Sequence, residues 1–342
     1  MAGLGTHKTV ETAPGQMTYL QAIQSGLREE MERDESVIVL GEDVGAKGGV
    51  FKVTEGLQKL YGETRVIDTP LAESSIVGVA IGAALNGLRP VAEIQFADFI
   101  HPAFNQIVSE AAKMRYRSNG DFNVPMVVRA PFGGGVHGAL YHSQSVEAFF
   151  AHVPGLKVVV PATPYDAKGL LISAIRDPDP VLFFEHKKAY RLIKGDVPQG
   201  ENYAVPIGRA RIAREGRHMS VFAYGLMLHY CVTAADQMAA EDGYSVEVID
   251  LRTLKPLDRD TILASARKTG KVLVVYEANR TGAVGAEVAA MVAEEAFEDL
   301  DGPVMRLGGP DVPAMPFSPP MEDFFLPGPA RILAAMRQLA AH

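Results

Sequence analysis

Short runs of apolar, largely β-branched residues recur along the chain, separated by stretches whose apolar positions follow a helical period, and few folds accommodate that alternation. Val37-Ile-Val-Leu40 stops at Gly41, after a stretch in which Leu20, Ile23 and Leu27 share one helical face. The rhythm continues as helix 75–85, strand 91–94, helix 99–114, strands 126–129 and 158–160, helix 164–175 and strand 181–185. Thr163-Pro164 supplies an N-cap and a first-turn proline for the last of these helices. Apolar strands alternating with helices predict an α/β fold, each sheet mostly parallel with helices on both faces.

From His186 to Pro206 the composition turns to Lys187, Lys188, Lys194, Gly195, Pro198 and Gly200 with no sustained period, which predicts a linker. Beyond it the rhythm resumes: strand 220–223, helix 226–240, strand 245–249, helix 259–266, strand 272–276, helix 284–297 and strand 304–307. A proline-rich stretch, 310–329, then leads to a helix over 330–339. With 342 residues the chain is long enough for two cores. The expected division is a mobile N-terminal arm (1–16), a first α/β domain (17–190), a linker (191–206) and a second α/β domain (207–342).

A net charge of −8 argues against a broad basic surface for nucleic acid. The single cysteine, Cys231, excludes an internal disulfide framework and suits a reducing cytoplasm. The longest apolar stretch, 76–85, is about half of what a bilayer requires, and the polar N-terminus lacks the apolar run of a signal peptide.

In open parallel sheets ligands bind beyond the carboxyl ends of the strands, so residues there carry most weight. Glu73 is a lone carboxylate at the mouth of the apolar helix 75–85. It reads either as an acid favoured by the helix dipole or as a proton-sharing group. Strand 91–94 ends in Gln95-Phe-Ala-Asp-Phe99, offering an amide and two rings. Strand 126–129 runs into a glycine-rich turn that places His137 and His142 before a short helix, 146–150. Gly133-x-Gly135-x-x-Gly138 matches the dinucleotide spacing, but Pro131-Phe132 separate it from the strand and no acid stands about 20 positions on to hold a ribose. There is no P-loop and no Gly-Asp-Gly metal-diphosphate motif.

Taken together, Gly41-Glu-Asp-Val44, Gly48-Gly-Val-Phe51, Thr69-Pro-Leu-Ala-Glu73, Ala92-Glu-Ile-Gln-Phe-Ala-Asp98, His137-Gly-Ala-Leu-Tyr-His-Ser-Gln144 and Asp250-Leu-Arg-Thr-Leu254 resemble a known family. It is that of the beta subunits of thiamine-diphosphate-dependent 2-oxo acid dehydrogenases, in their decarboxylating component, and above all its branched-chain (2-oxoisovalerate) members. The likeness covers about residues 17–339. It implies a pyrimidine-binding domain followed by a transketolase C-terminal-like domain.

The resemblance further implies that Glu73 hydrogen-bonds the pyrimidine nitrogen of thiamine diphosphate, favouring the imino tautomer that activates the thiazolium carbon. Leu71, Gln95 and Phe99 then surround the pyrimidine, with Phe99 where relatives carry Tyr. His142 handles protons during acylation of the lipoyl group, Phe132 lines the substrate pocket, and His137 orders its loop. Backbone carbonyls of Ala174, Asp177 and Asp179 correspond to a potassium site in some relatives. The diphosphate and its magnesium belong to an alpha subunit, giving an alpha2beta2 heterotetramer in which this chain alone is inactive. The second domain contacts the dihydrolipoyl acyltransferase core. A pyruvate or acetoin dehydrogenase beta subunit, or a non-catalytic assembly subunit, stand as alternatives.

Overall fold

The computed structural model describes residues 15–198 and 203–342, so residues 1–14 of the expected arm and 199–202 of the expected linker lie outside the described residues. The first sheet has seven strands in the order Thr253–Lys255, Lys157–Val159, Val181–His186, Val127–Phe132, Arg89–Glu93, Val37–Gly41, Val66–Asp68. Every neighbouring pair is parallel except the first. Val37–Gly41, Val127–Phe132 and Val181–His186 are buried at every residue, which is why they read as largely apolar runs rather than alternating ones, interrupted by Arg129 and the pair Glu185-His186.

The second sheet runs Met305–Gly309, Val272–Asn279, Met219–Ala223, Val246–Asp250, Arg211–Arg214. It is parallel save for Arg211–Arg214 at the edge. The expected fold class, two α/β domains with mostly parallel sheets, is therefore what the chain adopts. One strand crosses between them. Thr253–Lys255 follows the second sheet's Val246–Asp250 yet pairs with Lys157–Val159 of the first.

Helix Tyr19–Arg33 starts at a capping box, in which the Thr18 hydroxyl accepts from Gln21 N while Gln21 Oε1 accepts from Thr18 N. Its buried face packs on helix Pro164–Arg176, with Gly26 facing Lys168 and Leu171.

The expected continuous helix 99–114 is broken. Ala97–Ala103 is 3-10, Gln106–Glu110 is a π turn, Ala111–Lys113 is 3-10 again, and Met114–Arg117 is α. Pro102 sits inside the first segment, where it lacks the donor for a regular helical bond. A short helix, Pro319–Phe325, interrupts the proline-rich stretch.

The main core is shared by both domains: Phe132, Phe150 and Phe184 from the first join Phe222, Tyr224, Ile249 and Tyr276 from the second in one cluster. At the centre of the first sheet Arg129, fully buried, donates to Glu93 Oε2 at 2.6 Å and to both oxygens of Glu185 at 2.6 and 2.7 Å. Removing either partner would strand a buried charge.

Candidate active site

Because Val66–Asp68, Val37–Gly41, Arg89–Glu93, Val127–Phe132 and Val181–His186 run parallel as neighbours, the residues after each strand emerge along one edge of the sheet. That edge collects Thr69–Glu73, Glu42, Gln95–Phe99, the loop 133–144 and Lys187.

Glu73 is the first residue of helix Glu73–Leu85, whose N-cap, Ala72, supplies no capping side chain. A carboxylate at this point is favoured by the helix dipole. Ser74 fastens this helix start to the neighbouring segment by donating to Pro102 O at 2.6 Å. Glu42, at the adjacent strand end, is the companion that sequence reasoning passed over. Burial first, then the charges of Asp43 and Glu73, raise its carboxyl above the ordinary value. The Gly41-Glu-Asp-Val44 run was its signal. Leu71 is 70% exposed, an aliphatic side chain left open beside Glu73.

Gln95 and Phe99 are half-buried. The Phe99 and Phe96 rings meet edge to face at 5.7 Å, and both turn toward His142, at 5.4 and 4.5 Å. Phe51 backs Phe96 at 5.4 Å. His142 thus lies against Phe96 and Phe99 of one stretch of chain, with Phe51 of another behind Phe96. It follows the single 3-10 turn Ala139–Tyr141, and the short α-helix begins only at Glu147. Asp98 holds the peptide after it, Oδ1 accepting from Ser143 N at 3.2 Å and Gln144 N at 3.1 Å. Asp98 Oδ2 and Ser143 Oγ, both buried, lack a partner among the described residues.

Phe132 is 1% exposed and packed against Phe184 and His186 at 6.0 and 5.2 Å, because its strand is buried on both faces. Two of the carbonyls expected at a potassium site accept hydrogen bonds. Ala174 O accepts from Asp177 N at 3.3 Å and Asp177 O from Arg89 at 3.3 Å. The carboxylates of Asp177 and Asp179 take Lys157 and Arg115, each at 2.6 Å. Three cations, Arg89, Lys157 and Arg115, thus border this turn. Among the described residues no group of three or more His, Cys, Asp and Glu could hold a metal.

The glycine-rich loop has a structural explanation. Gly133 has φ +86°, and a Cβ there would run into the His186 ring. His186 Nε2 in turn meets Glu277 Oε2 at 2.8 Å, so Glu277, on the second sheet, pairs across the domain junction. Burial opposes ionisation of Glu277, but His186, Gly134 N–H and Lys187 outweigh it and hold the carboxyl below its usual value. His137, expected to order its loop, has Nδ1 2.6 Å from Glu322 Oε2. Lys187, His186 and Glu277 escaped notice as site residues because their neighbours are distant in sequence. The run Glu185-His-Lys-Lys188 directly after a buried strand was the available signal.

The chain matches two protein families: transketolase, pyrimidine-binding domain, over residues 15–193, and transketolase, C-terminal domain, over residues 208–332. It is 61% identical to the 2-oxoisovalerate dehydrogenase subunit beta of Bacillus subtilis, over 95% of this chain and 98% of that one. Identity to the pyruvate dehydrogenase E1 component subunit beta of the same organism is 50% over the same shares. Among solved structures, a split-gene transketolase in an inactive beta4 tetramer superposes with a TM-score of 0.75 at 24% identity, covering 95% of this chain and 98% of that one, a likeness of fold. With both domains, the strand-edge site and near-complete coverage in agreement, the chain belongs to the beta subunits of the 2-oxo acid dehydrogenases.

Proposed function

We propose that the chain is the beta subunit of an alpha2beta2 enzyme that oxidatively decarboxylates a branched-chain 2-oxo acid and passes the acyl group to a lipoyl domain. The observation that carries this reading is the edge-to-face cluster of Phe96, Phe99 and His142 at the same sheet edge as Glu73. The exposed Leu71 and the orphaned Asp98 Oδ2 and Ser143 Oγ fit a site whose other wall is a cofactor and a second chain.

Thiamine diphosphate, when bound, supplies the nucleophilic carbon and the electron sink that decarboxylation of a 2-oxo acid requires. In this reading Glu73 holds a proton at the pyrimidine nitrogen, Phe99 and Leu71 give that ring its apolar surroundings, and Gln95 offers an amide to its polar edge. His142, steadied by Phe96 and Phe99, moves the proton required when the lipoyl sulfur accepts the acyl group. Magnesium and the diphosphate grip are assigned to the alpha subunit, and docking on the acyltransferase core to the second domain. The protein is assigned to the cytoplasm, which suits its single buried thiol, Cys231.

The preference for a branched substrate rests on the higher identity to the 2-oxoisovalerate subunit. A pyruvate or acetoin dehydrogenase beta subunit is the competing assignment. The test is thiamine-diphosphate-dependent turnover of 3-methyl-2-oxobutanoate and of pyruvate, by this chain alone and after mixing with the alpha subunit from the same source. Activity confined to the mixture and favouring 3-methyl-2-oxobutanoate is expected. Faster turnover of pyruvate would move the assignment, and activity of this chain alone would refute the shared site.

A further inference from the structure

We propose that Glu322 and Glu277, two carboxylates of the second domain, are positioning residues that fix the loop carrying His142 and so govern acyl transfer to the lipoyl group. The inference rests on the role given to His142 above.

The loop is closed at its base, where Gly133 N donates to Gln144 O at 3.1 Å. One flank is held from the first domain by Asp98, through Ser143 N and Gln144 N. The other is held from the second domain. Glu277 accepts from Gly134 N, and Glu322 Oε1 accepts from Gly135 N at 2.8 Å and His137 N at 3.3 Å. Glu322 Oε2 also meets His137 Nδ1 at 2.6 Å. Neither carboxylate is spare surface charge: Glu322 is fully buried and Glu277 2% exposed.

Three residues of the loop, Gly134, Gly135 and His137, thus hang on second-domain acids, and the loop needs the restraint. His137 and Ala139 have φ of +56° and +55°, a backbone conformation that non-glycine residues hold only when their surroundings impose it. The restraint reaches His142 by contact. A Cβ on Gly138 would fall 2.7 Å from His142 Cβ and 2.8 Å from Ser143 Oγ, so the turn after His137 lies directly against the histidine. If the anchors are lost, the turn can relax and His142 with it, while Glu73, on another strand end, is untouched. The second domain therefore acts on one half of the reaction rather than on both.

The experiment compares Glu322→Ala and Glu322→Gln in the reconstituted heterotetramer by two assays: decarboxylation of 3-methyl-2-oxobutanoate with ferricyanide as electron acceptor, and acylation of an isolated lipoyl domain. Glu322→Ala should lower kcat for lipoyl acylation at least tenfold, with KM for the lipoyl domain and ferricyanide-coupled decarboxylation changed less than threefold. Glu322→Gln, which keeps an acceptor oxygen for Gly135 N and His137 N, should restore acylation to within threefold of the parent. Equal losses in both assays, or no loss, would overturn the proposal. Should Glu322→Ala fail to assemble, His137→Asn, at a half-exposed position, should still slow acylation selectively, and unchanged acylation there would count against the idea. His142→Ala in the same assays separates the two levels. If it spares acylation, the role of His142 fails; if it impairs acylation while Glu322→Ala does not, the anchoring fails alone.

Discussion

Lys187 stands directly after a fully buried strand, and burial pushes its ammonium down to about 8 against the attraction of Asp98, Glu277 and Glu322. Its Nζ reaches Pro131 O at 3.4 Å and lies 5.8 Å from the Phe96 ring. The unfolded chain keeps that proton to about pH 10, so between about 8 and 10 the unfolded state binds more protons and stability rises with pH. The stability difference between Lys187→Met and the parent should therefore shrink by up to about 3 kcal/mol from pH 7 to pH 10 in urea unfolding. A constant difference would mean that the ammonium is solvated. Glu73→Ala should lower turnover of the mixed enzyme at least ~100-fold while costing at most about 1 kcal/mol of stability, the worth of a helix-start charge. Near-normal turnover would remove Glu73 from the chemistry. Glu73 and His142 could be singled out in the sequence because strand ends and local pattern mark them. Glu322 could not, since its partners Gly135 and His137 lie far along the chain.

Elements were legible in proportion to how much of their environment is local. Strands buried on both faces announce themselves as apolar runs, and helix Pro164–Arg176 by Thr163-Pro164, where the Thr163 hydroxyl accepts from Asp166 N at 3.2 Å. Thr163→Ala should cost about 1 kcal/mol and lower the melting temperature by roughly 2 °C. An unchanged melting temperature would show that Pro164 alone fixes the helix start. Edge strands left no such mark. Val66–Asp68 and Arg211–Arg214 are short and partly exposed. Thr253–Lys255 owes its existence to a partner strand about a hundred residues earlier. The 97–117 segment was misread because its apolar spacing is helical while Pro102 and the π turn at Gln106–Glu110 divide it.

At the scale of the molecule, the two sheets share a core and a crossing strand, and they meet at a buried acid. Glu147, at the start of a first-domain helix, accepts from Tyr224 of the second sheet at 2.7 Å, and its other oxygen has no partner among the described residues. Burial raises its carboxyl to about 7, with the Tyr224 hydrogen bond opposing that rise. Below about pH 4.5 folded and unfolded chains both carry the proton, and the stability from this group is fully present; as pH rises through 7 it is lost, because ionisation is easy only in the unfolded chain. Glutamine imitates the neutral acid and keeps the oxygen that Tyr224 requires. Glu147→Gln should then be more stable than the parent by up to about 3 kcal/mol at pH 8 and nearly equal to it at pH 5, measured by urea unfolding. Because the acid lies between domains, the gain should appear in the unfolding of both sheets together. An equal difference at the two pH values would mean that the junction admits water to Glu147, and a gain confined to one of two separate transitions would mean that the shared core does not couple the domains.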